Sequence, residues 1–291
     1  MIIKVQPQED YELLDTGEGH KLERYGDYVL IRPDPEALWN KSLPSTEWEK
    51  AHLEFIRKGT KTHWVSKGNS VHTWTIEFGG LTFLIQPSSF KHTGLFPEQV
   101  GHWTWMEDII KKNKENYVGP ISILNLFAYT GGATLACAKS GASVCHVDGS
   151  KPAVEWARQN ATLSHLEDAP IRWIVDDVLA FMKREIKRGK KYDAIIMDPP
   201  AFGHGPKDEL WKIENNFLEL MECCKKILSD KPLFVVINGY TAGYSPLVYE
   251  NNLRTLMEGR KGVIESGELA LSQSHSDIVL PCGIFARWER K

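Results

Sequence analysis

The chain has only five cysteines among its 291 residues, and none of them forms a C-x-x-C pair. Such a pair is the usual start of a structural zinc site, so the sequence predicts no metal. An odd number of cysteines also argues against a disulfide framework. Most of them lie within apolar helix or strand patterns: Cys137, Cys145, Cys223, Cys224 and Cys282. We therefore expect reduced thiols in the core of a cytoplasmic protein.

The sequence also lacks a membrane segment and an excess of basic residues. No run approaches the roughly 18 to 20 apolar residues that a membrane-spanning helix needs, and the first residues turn acidic too early for a signal peptide. The formal charge of −3 provides no overall attraction to nucleic acid. A local basic surface would still suffice for an RNA substrate. With 42% hydrophobic and 25% charged residues, the composition is that of an ordinary globular protein.

The most informative stretch covers residues 121–150, ISILNLFAYTGGATLACAKSGASVCHVDGS. An apolar run ends at the turn Gly131-Gly132, a small-residue helix follows, and a second apolar run ends at Asp148. In a parallel sheet the ends of two such strands are neighbours, so the turn and the acid lie side by side. Glycine allows a ligand to approach the backbone closely, and an acid can bind both hydroxyls of a ribose. The stretch therefore predicts a site for a nucleoside-containing cofactor.

The chain before this stretch has a different pattern. Short strand patterns bounded by turn residues predict a small β-rich domain over residues 1–85. Its predicted strands cover 11–14, 20–24, 28–32, 62–65, 71–78 and 81–85, with one helix over 46–58. A connecting segment with a helix over 100–113 occupies residues 86–118. Six of the ten tryptophans lie between Trp39 and Trp105, and they either stack bases or fill a small core.

Strands and helices alternate after residue 150. The predicted strands cover 171–175, 192–197, 233–237, 263–271 and 278–288, and the predicted helices cover 150–164, 178–187, 208–228 and 246–259. Alternation with apolar central strands is typical of a parallel sheet with helices on both faces. The last two strands have no helix between them and therefore form a hairpin. Residues 119–291 are thus predicted to form an α/β, Rossmann-like domain of seven strands, the last one antiparallel.

Four of these strands end in glycines or acids, namely Gly131-Gly132, Asp148, Asp176-Asp177 and Asp198. Right-handed crossovers bring the four ends to one edge of the sheet. A nicotinamide dinucleotide requires G-x-G-x-x-G, whose third glycine is missing here. S-adenosylmethionine has no phosphate, and it needs room for an amino-acid end, an acid for the ribose and a polar group near the adenine. The Gly131-Gly132 turn gives room for the amino-acid end, Asp148 can bind the ribose, and Asp177 is the polar group near the adenine. We therefore favour S-adenosylmethionine.

Four motifs resemble those of a known family: residues 93–99 (TGLFPEQ), 125–132 (NLFAYTGG), 147–150 (VDGS) and 198–202 (DPPAF). On these motifs the sequence resembles a class I S-adenosylmethionine-dependent methyltransferase. More narrowly, it is similar to the bacterial large-subunit rRNA cytosine-C5 and guanine-N7 methyltransferases. The resemblance covers roughly residues 81–291. Residues 1–80 do not resemble the PUA-type RNA-binding domain with which some members begin.

The resemblance implies a role for each matched position. Residues that help to close the cofactor pocket would be Thr93, Gly94 and Phe96. The amino-acid portion of the cofactor would be held by Tyr129, Thr130, Gly131 and Gly132, and Phe127 would also belong to the cofactor site. Asp148 would bind the ribose hydroxyls, and Ser150 would belong to the same part of the cofactor site. Asp177 and Val178 would bind the adenine. Asp198 would border the methyl group.

Cytosine-C5 methylation requires a cysteine that adds to the ring. In the C5 enzymes of the family this cysteine follows the fifth strand, where the present sequence reads Asn238-Gly239-Tyr240. We therefore predict that methyl transfer does not use a covalent cysteine.

The group Asp198-Pro199-Pro200 indicates a nitrogen target. In amino-methyltransferases a carboxylate or amide before two prolines accepts a hydrogen bond from the target amine, and a following aromatic stacks on the base. Here Ala201 separates Pro200 from the aromatic Phe202. Alternatively, the prolines only end the strand and Asp198 contacts the cofactor. The predicted acceptor is RNA, in particular rRNA; the alternatives are a protein, a small molecule, or cofactor binding without catalysis.

Overall fold

The computed structural model describes residues 1–8, 10–58, 61–67, 72–88, 91–117, 119–240 and 243–291, without the side chains of residues 57, 58 and 61. The chain divides into two compact units. The larger one consists of residues 1–2, 102–268 and 283–291, and the smaller one of residues 3–101 and 269–282. The predicted domain limits near residues 85 and 118 stay a prediction.

Residues 1–113 form strands β1 to β8 and helices α1 and α2. Their bounds are β1 Ile2–Val5, β2 Tyr11–Gly17, β3 His20–Tyr25, β4 Tyr28–Pro33, α1 Ser45–Glu49, β5 Leu53–Lys58, β6 Lys61–Ser66, β7 Trp74–Phe78, β8 Leu81–Ile85 and α2 Val100–Asn113. In the smaller unit, β2 to β6 form a five-stranded sheet in sequence order, and β7 pairs with β8. The predicted β-rich character is confirmed. Residue 71, where one predicted strand begins, lies outside the described residues.

The predicted helix over 46–58 is wrong beyond α1. Residues 53–58 form β5, which pairs in parallel with β4 and antiparallel to β6. Burial alternates along the strand, since Leu53 and Phe55 are buried while Glu54 and Ile56 are partly exposed. This period of two is the pattern of a sheet, and the pairing satisfies the backbone groups.

Four of the clustered tryptophans donate their indole N–H to groups of the smaller unit. Trp39 donates to the Thr16 carbonyl, Trp48 to the Asp15 carboxylate, Trp64 to the Ser88 carbonyl and Trp74 to the Tyr25 carbonyl. Trp48 also belongs to a buried cluster with Leu22, Ile31 and Ala51. These contacts favour the interpretation of the rings as core and anchor residues over a base-stacking platform.

The rest of the chain alternates between strands and helices. Its elements are β9 Ser122–Leu126, α3 Gly132–Lys139, β10 Ser143–Asp148, α4 Lys151–Leu163, β11 Ile171–Val175, α5 Val178–Lys187, β12 Ala194–Met197, β13 Phe202–His204, β14 Leu210–Lys212, α6 Ile213–Ile227, β15 Phe234–Gly239, α7 Pro246–Leu256, β16 Gly262–Ser272 and β17 Val279–Arg290. No helix within the described ranges is long and apolar enough to cross a membrane.

The main sheet has eight strands in the order β1-β16-β17-β15-β12-β9-β10-β11. Five neighbouring strands of this sheet run parallel to one another: β15, β12, β9, β10 and β11. The strand β17 is antiparallel to its neighbour β15. The predicted parallel core and the antiparallel last strand are therefore confirmed. The strand β1 was not predicted, and it adds an eighth strand at the edge.

The predicted helix over 208–228 begins too early. Residues 202–212 instead form a hairpin in which β13 pairs with β14, and α6 begins at Ile213. The indole N–H of Trp211 donates to the Pro200 carbonyl at 2.7 Å, and the amide of Ile213 donates to the Ala201 carbonyl at 3.0 Å. These bonds tie the second strand of the hairpin to the end of β12.

Candidate functional site

The polar strand ends lie side by side at one edge of the sheet, as predicted. Backbone hydrogen bonds continue the sheet past its strands. The amide of Asp198 donates to the Leu126 carbonyl at 3.4 Å, that of Ala128 to the Val147 carbonyl at 3.1 Å, and that of Asp176 to the Asp148 carbonyl at 3.0 Å. The order along the edge is therefore Asp198, the glycine turn, Asp148 and the pair Asp176-Asp177.

The glycine turn after β9 has an unusual backbone. Phe127 and Tyr129 have φ angles of 55° and 50°, and Gly131 has a φ of 90°. Non-glycine residues rarely adopt this left-handed conformation, and such strain concentrates at functional sites. These three residues turn the chain sharply between β9 and α3, and the backbone amide of Tyr129 thereby points toward the end of β10.

The two glycines of the turn are also required by their protein neighbours. A Cβ atom on Gly132 would lie 2.3 Å from a ring carbon of Trp103 in α2. A Cβ atom on Gly131 would lie 3.1 Å from the Cβ of Ala157 in α4. Close helix packing therefore accounts for these glycines, in addition to the ligand approach expected from the sequence.

Asp148 is held by two backbone donors. The amide of Tyr129 donates to its Oδ2 atom, and the amide of Ser150 donates to its Oδ1 atom, both at 2.8 Å. Burial raises the pKa of Asp148, and the N–H groups of Ser150 and Tyr129 only partly oppose this effect. A carboxylate can accept about four hydrogen bonds, so each oxygen can still accept one from a hydroxyl pair. The arrangement fits the predicted ribose.

Ser150 and Asp177 each begin a helix. The Ser150 hydroxyl accepts a hydrogen bond from the Ala153 amide at 3.3 Å at the start of α4. The Oδ1 atom of Asp177 accepts one from the Ala180 amide at 2.8 Å at the start of α5. Both side chains therefore cap a helix N-terminus. Val178, the first residue of α5, is buried.

The β13–β14 hairpin extends along the same edge, which the sequence did not predict. A Cβ atom on Gly149 would lie 3.4 Å from the His204 carbonyl oxygen, and one on Gly205 would lie 3.2 Å from the Cβ of Asp177. The tip of the hairpin therefore packs against the ends of β10 and β11. At the base of the hairpin, Phe202 of β13 is paired with Lys212 of β14. Phe202 is 55% exposed.

A buried polar network below the glycine turn was also missed. The side-chain amide of Asn125 donates a hydrogen bond to the Thr134 hydroxyl oxygen, which lies 2.9 Å from Nδ1 of His146. The side-chain amide of Asn160 donates a hydrogen bond to the Thr130 carbonyl at 2.9 Å. Burial lowers the pKa of His146 to about 3, so its ring is neutral. Because these residues come from β9, β10, α3 and α4, the network fixes the turn relative to the sheet.

Thr93, Gly94 and Phe96 belong to the smaller unit. The Thr93 side chain is buried, its carbonyl accepts from the Gln86 amide at 3.1 Å, and Gly94 has a φ of 97°. The ring of Phe96 lies 5.2 Å from the ring of His92. These contacts give the segment a defined conformation, while its role in closing a cofactor pocket stays a prediction.

The five cysteines are free thiols, and four of them are buried. Burial raises the pKa of Cys145 to about 11, and it also raises the pKa values of Cys137 and Cys224. A protonated thiol is a poor nucleophile. Within the described residues, no group of three or more histidine, cysteine or acidic side chains is placed to hold a metal ion.

The fold and the ordered strand ends define a Rossmann-like α/β protein. The model of the S-adenosylmethionine-dependent methyltransferase family matches residues 49–247. The chain therefore belongs to the S-adenosylmethionine-dependent methyltransferase family. Membership confirms the predicted class of enzyme and its cofactor, S-adenosylmethionine.

Individual relatives agree with this assignment. A crystal structure of the S-adenosylmethionine-dependent methyltransferase from Agrobacterium tumefaciens is similar with a TM-score of 0.94 and 38% identity, over 100% of this chain and 94% of that one. The ribosomal RNA large subunit methyltransferase I of Salmonella arizonae is 40% identical over 44% of this chain and 30% of its own length. The ribosomal RNA large subunit methyltransferase K of Neisseria meningitidis is 26% identical over 83% of this chain and 65% of its own length. The chain thus spans less than two thirds of either ribosomal RNA relative.

Proposed function

We propose that this protein transfers a methyl group from S-adenosylmethionine to RNA, in particular to rRNA, in the cytoplasm. The observation that carries the proposal is the row of strand ends, in which Asp148 is held by two backbone donors and Asp198 lies at the other side of the glycine turn. The names of the ribosomal RNA relatives support an RNA acceptor.

The cofactor would be held along this edge. Asp148, fixed by the amide of Ser150, would accept hydrogen bonds from the two ribose hydroxyls. The turn with Phe127, Tyr129, Thr130, Gly131 and Gly132 would hold the amino-acid end, and Asp177 with Val178 would contact the adenine. Thr93, Gly94 and Phe96 would close the pocket. The cofactor supplies a methyl group that is already activated on a sulfonium, so positioning by these residues can provide most of the catalysis.

The acceptor would be bound by the segment after β12. The Asp198 carboxylate would accept a hydrogen bond from the target amine, and Pro199 and Pro200 would stiffen the loop. The hydrogen bond from Trp211 to the Pro200 carbonyl holds this loop in place. Phe202 is 55% exposed and would stack on the target base. The intervening Ala201 does not prevent this, because β13 presents Phe202 to solvent.

Methyl transfer would proceed without a covalent cysteine. Four of the five thiols are buried, and the end of β15 carries Asn238 and Gly239. A variant that lacks all five cysteines is therefore expected to keep methyl transfer. Loss of transfer in Cys282→Ala with the fold intact would contradict this part of the proposal.

The first test is cofactor binding followed by identification of the acceptor. Isothermal titration calorimetry should detect S-adenosylmethionine at about micromolar affinity. Labelled cofactor is then incubated with the protein and cell extract, and the product is digested with nuclease or with protease. Label that nuclease releases supports RNA. Label that only protease releases, or that stays with small molecules, would replace RNA by a protein or a small molecule; no transfer at all would leave a cofactor-binding protein without catalysis.

A further inference from the structure

The side chain of Tyr249 is buried at the edge of the sheet that carries Asp198. Tyr249 belongs to α7 and is only 1% exposed. A Cβ atom on Gly239, the last residue of β15, would lie 2.1 Å from the Tyr249 hydroxyl oxygen, so the phenol lies across this glycine. In the parallel pairing of β12 with β15, Met197 is opposite Ile237. Asp198 and Gly239 follow this pair by one and two residues, so the hydroxyl lies beside the start of the loop with the two prolines.

The Tyr249 hydroxyl has no hydrogen-bond partner within the part of the chain that the structure describes. A buried hydroxyl without a partner lowers stability, and phenylalanine would fill the same space without this cost. Burial and the nearby Asp198 carboxylate raise the pKa of Tyr249 to about 12. The hydroxyl therefore keeps its proton and can donate a hydrogen bond to an acid.

The residues after Asp198 cannot hold its carboxylate in the way that Asp148 is held. At Asp148, the amide of the second following residue, Ser150, donates to the carboxylate. The corresponding residues after Asp198 are Pro199 and Pro200, and proline has no N–H. The α7 helix places the Tyr249 hydroxyl near this carboxylate, whose charge acts on the phenol.

We propose that Tyr249 is a positioning residue for methyl transfer, whose hydroxyl donates a hydrogen bond to the Asp198 carboxylate once the acceptor is bound and orients this carboxylate toward the target amine. This inference rests on the proposed function, since it assumes that Asp198 faces an acceptor. The hydrogen bond leaves other lone pairs of the carboxylate for the amine. Tyr249 thereby acts through Asp198 and does not bind the cofactor.

The test compares Tyr249→Phe with Tyr192→Phe. Tyr192 donates its hydroxyl to Glu185 at 2.8 Å and precedes β12, so it lies at the opposite end of that strand. For each variant we would measure kcat for labelled methyl transfer to whichever fraction of the cell extract the wild type labels, the Kd for S-adenosylhomocysteine, and Tm. The Tyr249→Phe variant should lose about 10- to 100-fold in kcat, as expected for a hydrogen bond to a charged group, with unchanged Kd and an equal or higher Tm. The Tyr192→Phe variant should lose stability and keep kcat.

A purely structural Tyr249 would give a different result. A kcat for Tyr249→Phe within twofold of the wild type would overturn the inference, as would a fall in kcat that accompanies a fall in Tm or a weaker Kd. The acceptor is identified separately from the wild-type product. If the label lies in protein, the RNA proposal fails while the comparison of the two tyrosines still decides the role of Tyr249. If the wild type labels nothing, both proposals fail.

Discussion

Glu23 in the smaller unit is buried and Asp148 in the larger unit is half-buried, yet their pKa values change in opposite directions. Burial alone would raise the pKa of Glu23, but the Arg32 guanidinium and the Lys21 ammonium outweigh it and lower this pKa to about 2. Two bonds of 2.7 and 2.8 Å join Arg32 to Glu23. Asp148 has two backbone amides instead of a cation, and burial raises its pKa.

This difference separates a structural acid from a binding acid. Glu23 has a complete set of charged and hydroxyl partners, since Tyr11 also donates to it at 2.8 Å. Its contribution is therefore to the folding of the smaller unit. Asp148 carries a negative charge that its protein partners only partly compensate. Further hydroxyl donors would stabilise this charge, which is what a ribose offers.

The largest expected effect is on stability, from Arg32→Met. The substitution removes both hydrogen bonds from Arg32 and leaves the buried Glu23 carboxylate with only the Lys21 ammonium, at 3.7 Å, as a cation. It should lower the free energy of unfolding by about 3–5 kcal/mol. Urea denaturation would measure it. The control is Arg24→Met, whose partly exposed pair with Glu12 at 3.0 Å should contribute only about 0–1 kcal/mol. Equal losses in the two variants would show that the Arg32 pair has no special role.

The two acids should also respond oppositely to pH. Since the pKa of Glu23 is depressed, its contribution to stability is present above its unfolded pKa of about 4.5 and is lost as the pH falls toward about 2. The loss should be on the order of 3 kcal/mol. The pKa of Asp148 is raised, so acidification below its folded pKa removes a cost and stabilises the fold.

The pH dependence is measured as the free energy of unfolding of the wild type relative to Glu23→Gln and to Asp148→Asn. On acidification, the free energy of unfolding of the wild type should fall relative to that of Glu23→Gln. Over the same pH change it should rise relative to that of Asp148→Asn. Two curves with the same sign would remove the distinction between the acids.

At the site itself, Asp148→Ala should weaken binding of S-adenosylhomocysteine at least about 100-fold, because two charge-assisted hydrogen bonds to the ribose are lost. Asp198→Ala should leave this Kd within about threefold and reduce turnover instead. Calorimetry and methyl-transfer assays on both variants provide the comparison. If both substitutions affect binding and turnover equally, Asp198 does not act on the acceptor.

The sequence predicted the parts of this site that depend on local pattern. Apolar runs that end in glycine or aspartate identified β9 to β12, and the crossover rule placed their ends at one edge. The β13–β14 hairpin was missed because Leu210 lies three residues before Ile213, so the helical period of α6 extends back into β14. The hairpin depends on contacts with residues before the predicted helix, namely the pairing of β14 with β13 and the bond from Trp211 to the Pro200 carbonyl. The network around His146 and the position of Tyr249 likewise depend on elements that are distant in sequence.

The smallest expected effect on the fold comes from Phe202→Ala, which sharpens the contrast between buried and exposed site residues. Phe202 is 55% exposed, so its truncation should change the free energy of unfolding by less than about 0.5 kcal/mol. Loss of base stacking should nevertheless lower kcat/KM for the RNA about tenfold, with unchanged cofactor affinity. Leu210→Ala is a matched control, because Leu210 is 53% exposed on the same hairpin but has no aromatic ring to stack on a base. Equal losses in the two variants would mean that the hairpin contributes apolar surface and that Phe202 does not stack on the target base.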